Sequence, residues 1–97
     1  MQEYETKTMN DEDGNRLGEM RYKNGIADGL CRLWYKSGQL HQESHFTSGV
    51  LNGAFRTWWE NGTLKEETLF EWGVKISSKH YDADGKLVSE YNGQVER

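Results

Sequence analysis

The sequence is poor in most features that mark a familiar class of protein. It has one cysteine, Cys31, which excludes an internal disulfide framework and a multi-cysteine metal site and fits a reducing compartment. No window approaches the ~18 apolar residues of a spanning helix, and the start, Met1-Gln-Glu-Tyr-Glu-Thr-Lys, carries no apolar export segment. The chain therefore reads as soluble and cytoplasmic, with no membrane insertion. Positive charge is also short: 12 Lys and Arg stand against 16 Asp and Glu, a net charge of −4. Phosphate binding needs a concentrated cationic footprint, so this balance argues against nucleic acid and against an anionic membrane surface. Proline is absent, and hydrophobic residues reach only 34%.

Aromatic residues are what the chain does have, at 12%, with four Trp and five Tyr among only 97 residues. A disordered chain would lack them. Glycine occurs 11 times, and a helical domain would not scatter so much of it at regular intervals. The composition fits one small β-domain over 1–97, in which a few large rings supply most of the burial.

The glycines have a period. Gly14, Gly38, Gly62 and Gly85 are 24, 24 and 23 residues apart, and each follows a polar residue, Asp13, Ser37, Asn61 or Asp84. Five residues after each glycine comes Glu19, Glu43, Glu67 or Glu90. Four residues before the last three comes Trp34, Trp58 or Tyr81. A second glycine follows the first three by eleven residues, at Gly25, Gly49 and Gly73. So many columns in one register define about four copies of one unit. Asn61-Gly62 and Asp84-Gly85 are favoured pairs for a two-residue type I′ hairpin turn, and the flanks alternate with β-forming residues. Strands are predicted near 3–9, 16–23, 30–36, 40–47, 54–60, 64–71, 76–82 and 86–92, with the second glycines in wider loops. Short connections make the fold class all-β: a single curved antiparallel meander of four β-hairpin repeats.

Two-residue turns fix a register. Under it Arg32 faces Glu43, Arg56 faces Glu67 and Lys79 faces Glu90, while Thr8 breaks the series opposite Glu19. The same parity sorts the faces. Cys31, Leu33, Tyr35, Leu40, Phe46, Phe55, Trp59, Leu64 and Phe70 fall on one face, the more apolar and the choice for the buried side. Leu30, Trp34, Trp58, Leu69, Tyr81 and Val88 fall on the other, among the ion pairs and with His41 and His45.

The units Leu-Trp-Tyr-Lys-Ser-Gly-Gln-Leu (33–40) and Thr-Trp-Trp-Glu-Asn-Gly-Thr-Leu (57–64) resemble the MORN repeat. More closely, they resemble the bacterial MORN-variant repeat of the YwqK-family antitoxins. The resemblance runs from about residue 10 to 93. The first unit departs from it, with Asn10 in the aromatic position and Arg16 in the place of Leu40 and Leu64; so does the last, where Ser77 replaces Gly29 and Gly53. Such departures fit capping repeats. The resemblance implies a curved sheet that works by holding a protein partner, with toxin neutralisation as its role.

Motifs for chemistry are missing. His41 and His45 would share a strand face about 13–14 Å apart, too far for one metal ion. Cys31 points away from both and reads as a buried thiol rather than a nucleophile. The recurrent glutamates have basic partners, and no GxGxxG or Walker spacing occurs, so neither acid–base catalysis nor a cofactor is expected and the chain is not read as an enzyme. Trp34, Trp58 and Tyr81 are either a structural stack or anchors for a partner, with Arg32 and Arg56 beside them. A single sheet cannot cover both of its own faces; its curve, a second copy in a homodimer, or a cognate protein must do so. Two readings follow: an antitoxin-like binding module, or a MORN-type scaffold segment that associates with itself.

Overall fold

The structure is a computed structural model that describes residues 3–93. Among the described residues nine strands follow one another: β1 (Tyr4–Asn10), β2 (Arg16–Lys23), β3 (Ile26–Trp34), β4 (Leu40–Thr47), β5 (Val50–Leu51), β6 (Gly53–Trp58), β7 (Leu64–Glu71), β8 (Val74–Tyr81) and β9 (Leu87–Asn92). Each pairs antiparallel with its neighbour in sequence, and β5 and β6 act as one strand interrupted at Asn52. The result is one open, curved sheet measuring 44 × 35 × 13 Å, a single layer with no helix among the described residues.

The turns are not distributed as the sequence predicts. Asn61-Gly62 and its counterparts sit in three-residue loops: in the second unit Tyr35 N–H donates to Gln39 O and Gly38 N–H donates to Tyr35 O, and only the glycine has positive φ, +98° at Gly38. The two-residue type I′ turns lie at the other margin, at Asn24-Gly25, Ser48-Gly49 and Trp72-Gly73, where both residues have positive φ. Strands accordingly start earlier there, at Ile26, Val50 and Val74.

The predicted register nevertheless holds. Arg32 pairs with Glu43, Arg56 with Glu67, Lys79 with Glu90 and Thr8 with Glu19. A three-residue loop shifts the pairing by one, so Trp34 faces Leu40 rather than His41; an extra residue in the returning strand then restores it. Leu17, His41, Lys65 and Val88 are these extra residues, and each forms a β-bulge. The two deviations cancel beyond the bulge.

Between loop and bulge they do not cancel, and the face assignment changes there. Leu40 pairs with Trp34 and Leu64 with Trp58, so both leucines stand on the tryptophan face, not the opposite one. His41 moves the other way and stacks on Tyr35, with ring centroids 4.2 Å apart. His41 and His45 thus lie on opposite faces. Val88 leaves the tryptophan face by the same shift, and Leu87 takes the place opposite Tyr81.

The face chosen as the buried side is the more enclosed one, yet no second layer of described residues covers it. Its deepest residues are small: Cys31 at 8% exposure, Ser44 and Thr68 at 1%, Ser78 at 2%. They lie in register across the sheet, Cys31 opposite Ser44 and Thr68 opposite both Phe55 and Ser78. In a single layer only neighbouring side chains can enclose them. Phe55 and Phe70 meet edge to face at 5.8 Å. Cys31 is the one buried hydrophobic residue among those described, and Leu33, Phe46, Phe55 and Phe70 stay half-buried.

Candidate partner-binding face

The two kinds of pairing, within hairpins and between them, join the charges into one row. Glu19, Arg32, Glu43, Arg56, Glu67, Lys79 and Glu90 stand opposite one another in turn on β2, β3, β4, β6, β7, β8 and β9. Signs alternate along the whole row. Two pairs are closed hydrogen-bonded bridges, Arg32 Nε to Glu43 Oε2 and Arg56 Nε to Glu67 Oε2, each 3.0 Å. Both guanidinium groups remain partly open to solvent, so the bridges fix register more than they stabilise, at roughly 0–1 kcal/mol each.

Two residues further along the strands, on the same face, come Trp34, Trp58 and Tyr81. Each is paired with a leucine, Leu40, Leu64 or Leu87. The aromatics are two strands apart, about 9–10 Å from strand spacing. They form no ring stack; the ring pairs among the described residues are Tyr35–His41 and Phe55–Phe70. The five residues singled out from sequence, Trp34, Trp58, Tyr81, Arg32 and Arg56, therefore share one face as two adjacent bands, with leucines completing the apolar one.

A shallow groove of about 420 Å³ opens on this face towards β9. The charged row walls it at Arg56, Glu67, Lys79 and Glu90, and Ala54, Leu69 and Ser77 line it as well. The groove opens where Leu69 is flanked by two small residues, Ala54 on β6 and Ser77 on β8.

Sequence reasoning missed how the repeats are stitched. Tyr35 donates its hydroxyl to Trp58 O at 2.7 Å, and Trp59 donates Nε1–H to Tyr81 O at 3.1 Å. The second aromatic of each middle unit thus reaches the next unit's backbone, and Lys65 lies over the Trp59 ring at 4.5 Å. At the opposite margin Asp28 accepts from Ser48 N–H at 2.9 Å and Asn52 from Trp72 N–H at 3.0 Å. The recurring Asp-Gly and Asn-Gly at 28–29 and 52–53 are the signal that could have revealed this. Burial disfavours the thiolate form of Cys31 and pushes its pKa up, against a weaker opposing hydrogen bond with Ser44. Among the described residues no group of three His, Cys, Asp or Glu side chains is placed to hold a metal ion.

The hairpins, their shared register and the open banded face define a tandem β-hairpin repeat protein whose units build one continuous surface. Residues 27–47, 51–71 and 77–94 each match the MORN repeat variant, and the chain belongs to that family. The first hairpin lies outside the match, in keeping with Asn10 and Arg16. Repeats of this kind generally serve in binding proteins or membranes and in scaffolding. No curated protein and no solved structure matches the chain.

Proposed function

We propose that this chain is a non-catalytic protein-binding module of the antitoxin or immunity type, which sequesters a protein partner on its charged and aromatic face. Trp34, Trp58 and Tyr81 are the anchors, and Arg32 and Arg56 orient the partner beside them. The observation that carries the reading is the open band of rings and leucines next to half-exposed guanidinium groups, the residue types that dominate binding hot spots. A sheet of 44 × 35 Å also offers room for the ~800 Å² that each partner contributes to a stable interface. A toxin as partner follows from the likeness to antitoxins, and the single thiol fits a cytoplasmic setting.

The test compares Trp58→Ala with Trp59→Ala by thermal melt and by calorimetric titration against a partner recovered with the wild-type protein. Trp58→Ala should weaken binding by about 2 kcal/mol or more while the fold persists. Trp59→Ala should lower the melting temperature and affect binding only through unfolding. Equal destabilisation by the two would make the face a packing surface and sink the reading.

Self-association as a scaffold is the second reading. It is favoured by the opposite face, where Leu33, Phe46, Phe55 and Phe70 are half-buried under no second layer. A monomer in sedimentation equilibrium at high concentration would dispose of it.

A further inference from the structure

Within the alternating row, Glu43 stands between Arg32 and Arg56, and Glu67 between Arg56 and Lys79. Glu19 has Arg32 on one side and Thr8 on the other, and Arg16 closes on it at 3.2 Å. Glu90 differs from all of these. Lys79 faces it from β8, and beyond β9 no described strand follows. The two end strands also differ. Both expose apolar residues, Tyr4 and Met9 on β1 and Leu87, Val88 and Tyr91 on β9, but β1 carries charge of both signs, Glu5 and Lys7, a usual guard against strand addition, whereas β9 carries Glu90 alone. The groove on the charged face runs out at this same end, with Glu90 and Asn92 on its lip.

We propose that the outer edge of β9 receives an extended strand of the protein partner, antiparallel, with a Lys or Arg opposite Glu90. The main chain would supply affinity and the charge would set register, as in other strand-addition complexes. A second copy of this chain fits the edge less well. Its β1 would take the place β8 holds beside β7 and bring Thr8 opposite Glu90, so Glu90 would gain no cation from it. The inference rests on the protein-binding reading but concerns a different part of the surface, the edge rather than the aromatic band.

The probe is a peptide copying β8, Val-Lys-Ile-Ser-Ser-Lys-His-Tyr, because β8 is the strand that closes the equivalent edge of β7. Binding is followed by fluorescence anisotropy and by hydrogen exchange of the β9 amides, with a second peptide carrying Glu in place of its second Lys. The Lys peptide should protect the amides of β9 and bind about tenfold more tightly than the Glu peptide, from one favourable pair gained and one like-charge contact avoided. In Glu90→Lys the preference should reverse, and in Trp58→Ala it should persist. Absent protection of β9, or an equal affinity for both peptides, overturns the proposal. So does loss of peptide binding in Trp58→Ala with retention in Glu90→Lys, which would place the peptide on the aromatic band and leave the broader binding reading intact.

Discussion

Along one margin of the sheet the chain reverses through three-residue loops closed by Gly14, Gly38, Gly62 and Gly85; along the other it reverses through two-residue turns at Asn24-Gly25, Ser48-Gly49 and Trp72-Gly73. The loop margin is joined from repeat to repeat by aromatic side chains, Tyr35 and Trp59, which also pack on His41 and Lys65. The turn margin is joined by Asp28 and Asn52, short polar groups that each accept one main-chain N–H, and by main-chain bonds from Gly49 N–H to Ala27 O and from Gly73 N–H to Leu51 O. An aromatic link removes apolar area from water as well as making a hydrogen bond, whereas a polar link makes only the bond. In a sheet with almost no enclosed core, that difference should make the loop margin the firmer of the two.

The strongest challenge to this contrast sets Trp59→Ala against Asn52→Ala. Removing a fully buried Trp costs roughly 3–5 kcal/mol, so the half-buried Trp59 should cost about 2–3. Loss of the Asn52 side-chain bonds, the one from Trp72 N–H and the longer one to Thr47 Oγ1 at 3.4 Å, should cost about 1 kcal/mol. Denaturant melts of both variants measure the gap, and equal costs would erase the distinction between margins.

A second comparison sharpens it within the loop margin. Gly62→Val forces a β-branched residue to φ +92° with its Cβ 3.3 Å from Gln39 Oε1, in the middle of the array. A left-handed L-residue alone costs about 1–2 kcal/mol, and a branched one more, so a loss near 2 kcal/mol is expected. Gly14→Val meets the same φ problem, at +86°, with nothing within 4 Å and in the hairpin outside the family match. That unit can fray alone, and its substitution should lower the global melt less. Equal shifts would mean that the first hairpin is as firmly joined as the third.

The smallest effect belongs to the turn margin and has the opposite sign. Trp72 is 63% exposed and held at φ +48°, where its counterpart in the first turn is Asn24 at +50°. Asparagine adopts this conformation at less cost than tryptophan. Trp72→Asn should therefore stabilise by about 0.5–1 kcal/mol, a rise of a few degrees in melting temperature. A fall would show that the ring packs on the margin more than its exposure suggests.

Much of this was legible in the sequence because a repeat states its register several times over. The recurring glutamates and basic residues placed Arg32, Arg56 and Lys79 opposite Glu43, Glu67 and Glu90, and that pairing survives a wrong turn assignment. It survives because loop and bulge shift the register by equal and opposite amounts, so residues beyond both keep their partners. His41, Leu40, Leu64 and Val88 lie between the two and were misplaced for that reason alone. The turns themselves were exchanged. Asn-Gly and Asp-Gly suit a type I′ turn, but they also suit a three-residue loop, in which only the glycine needs positive φ. Ser48 and Trp72, poor residues for positive φ, gave no hint that they occupy it.

By itself, then, the sequence determined the period, the strands, the antiparallel order and the three charge pairs within hairpins, since all of these follow from local spacing that recurs along the chain. Tertiary structure alone decided the rest. Pairing between hairpins extended three opposed charge pairs into a row of seven residues ending at Glu90, and contacts 22 and 23 residues apart turned Trp59 and Tyr35 into links between repeats. It also decided that the enclosed positions would be small ones, Ser44, Thr68 and Ser78, because in a sheet one layer thick the middle of a face is covered only by taller neighbours on either side. No local pattern specifies which rows will meet, and a one-residue bulge is enough to choose which face a side chain takes.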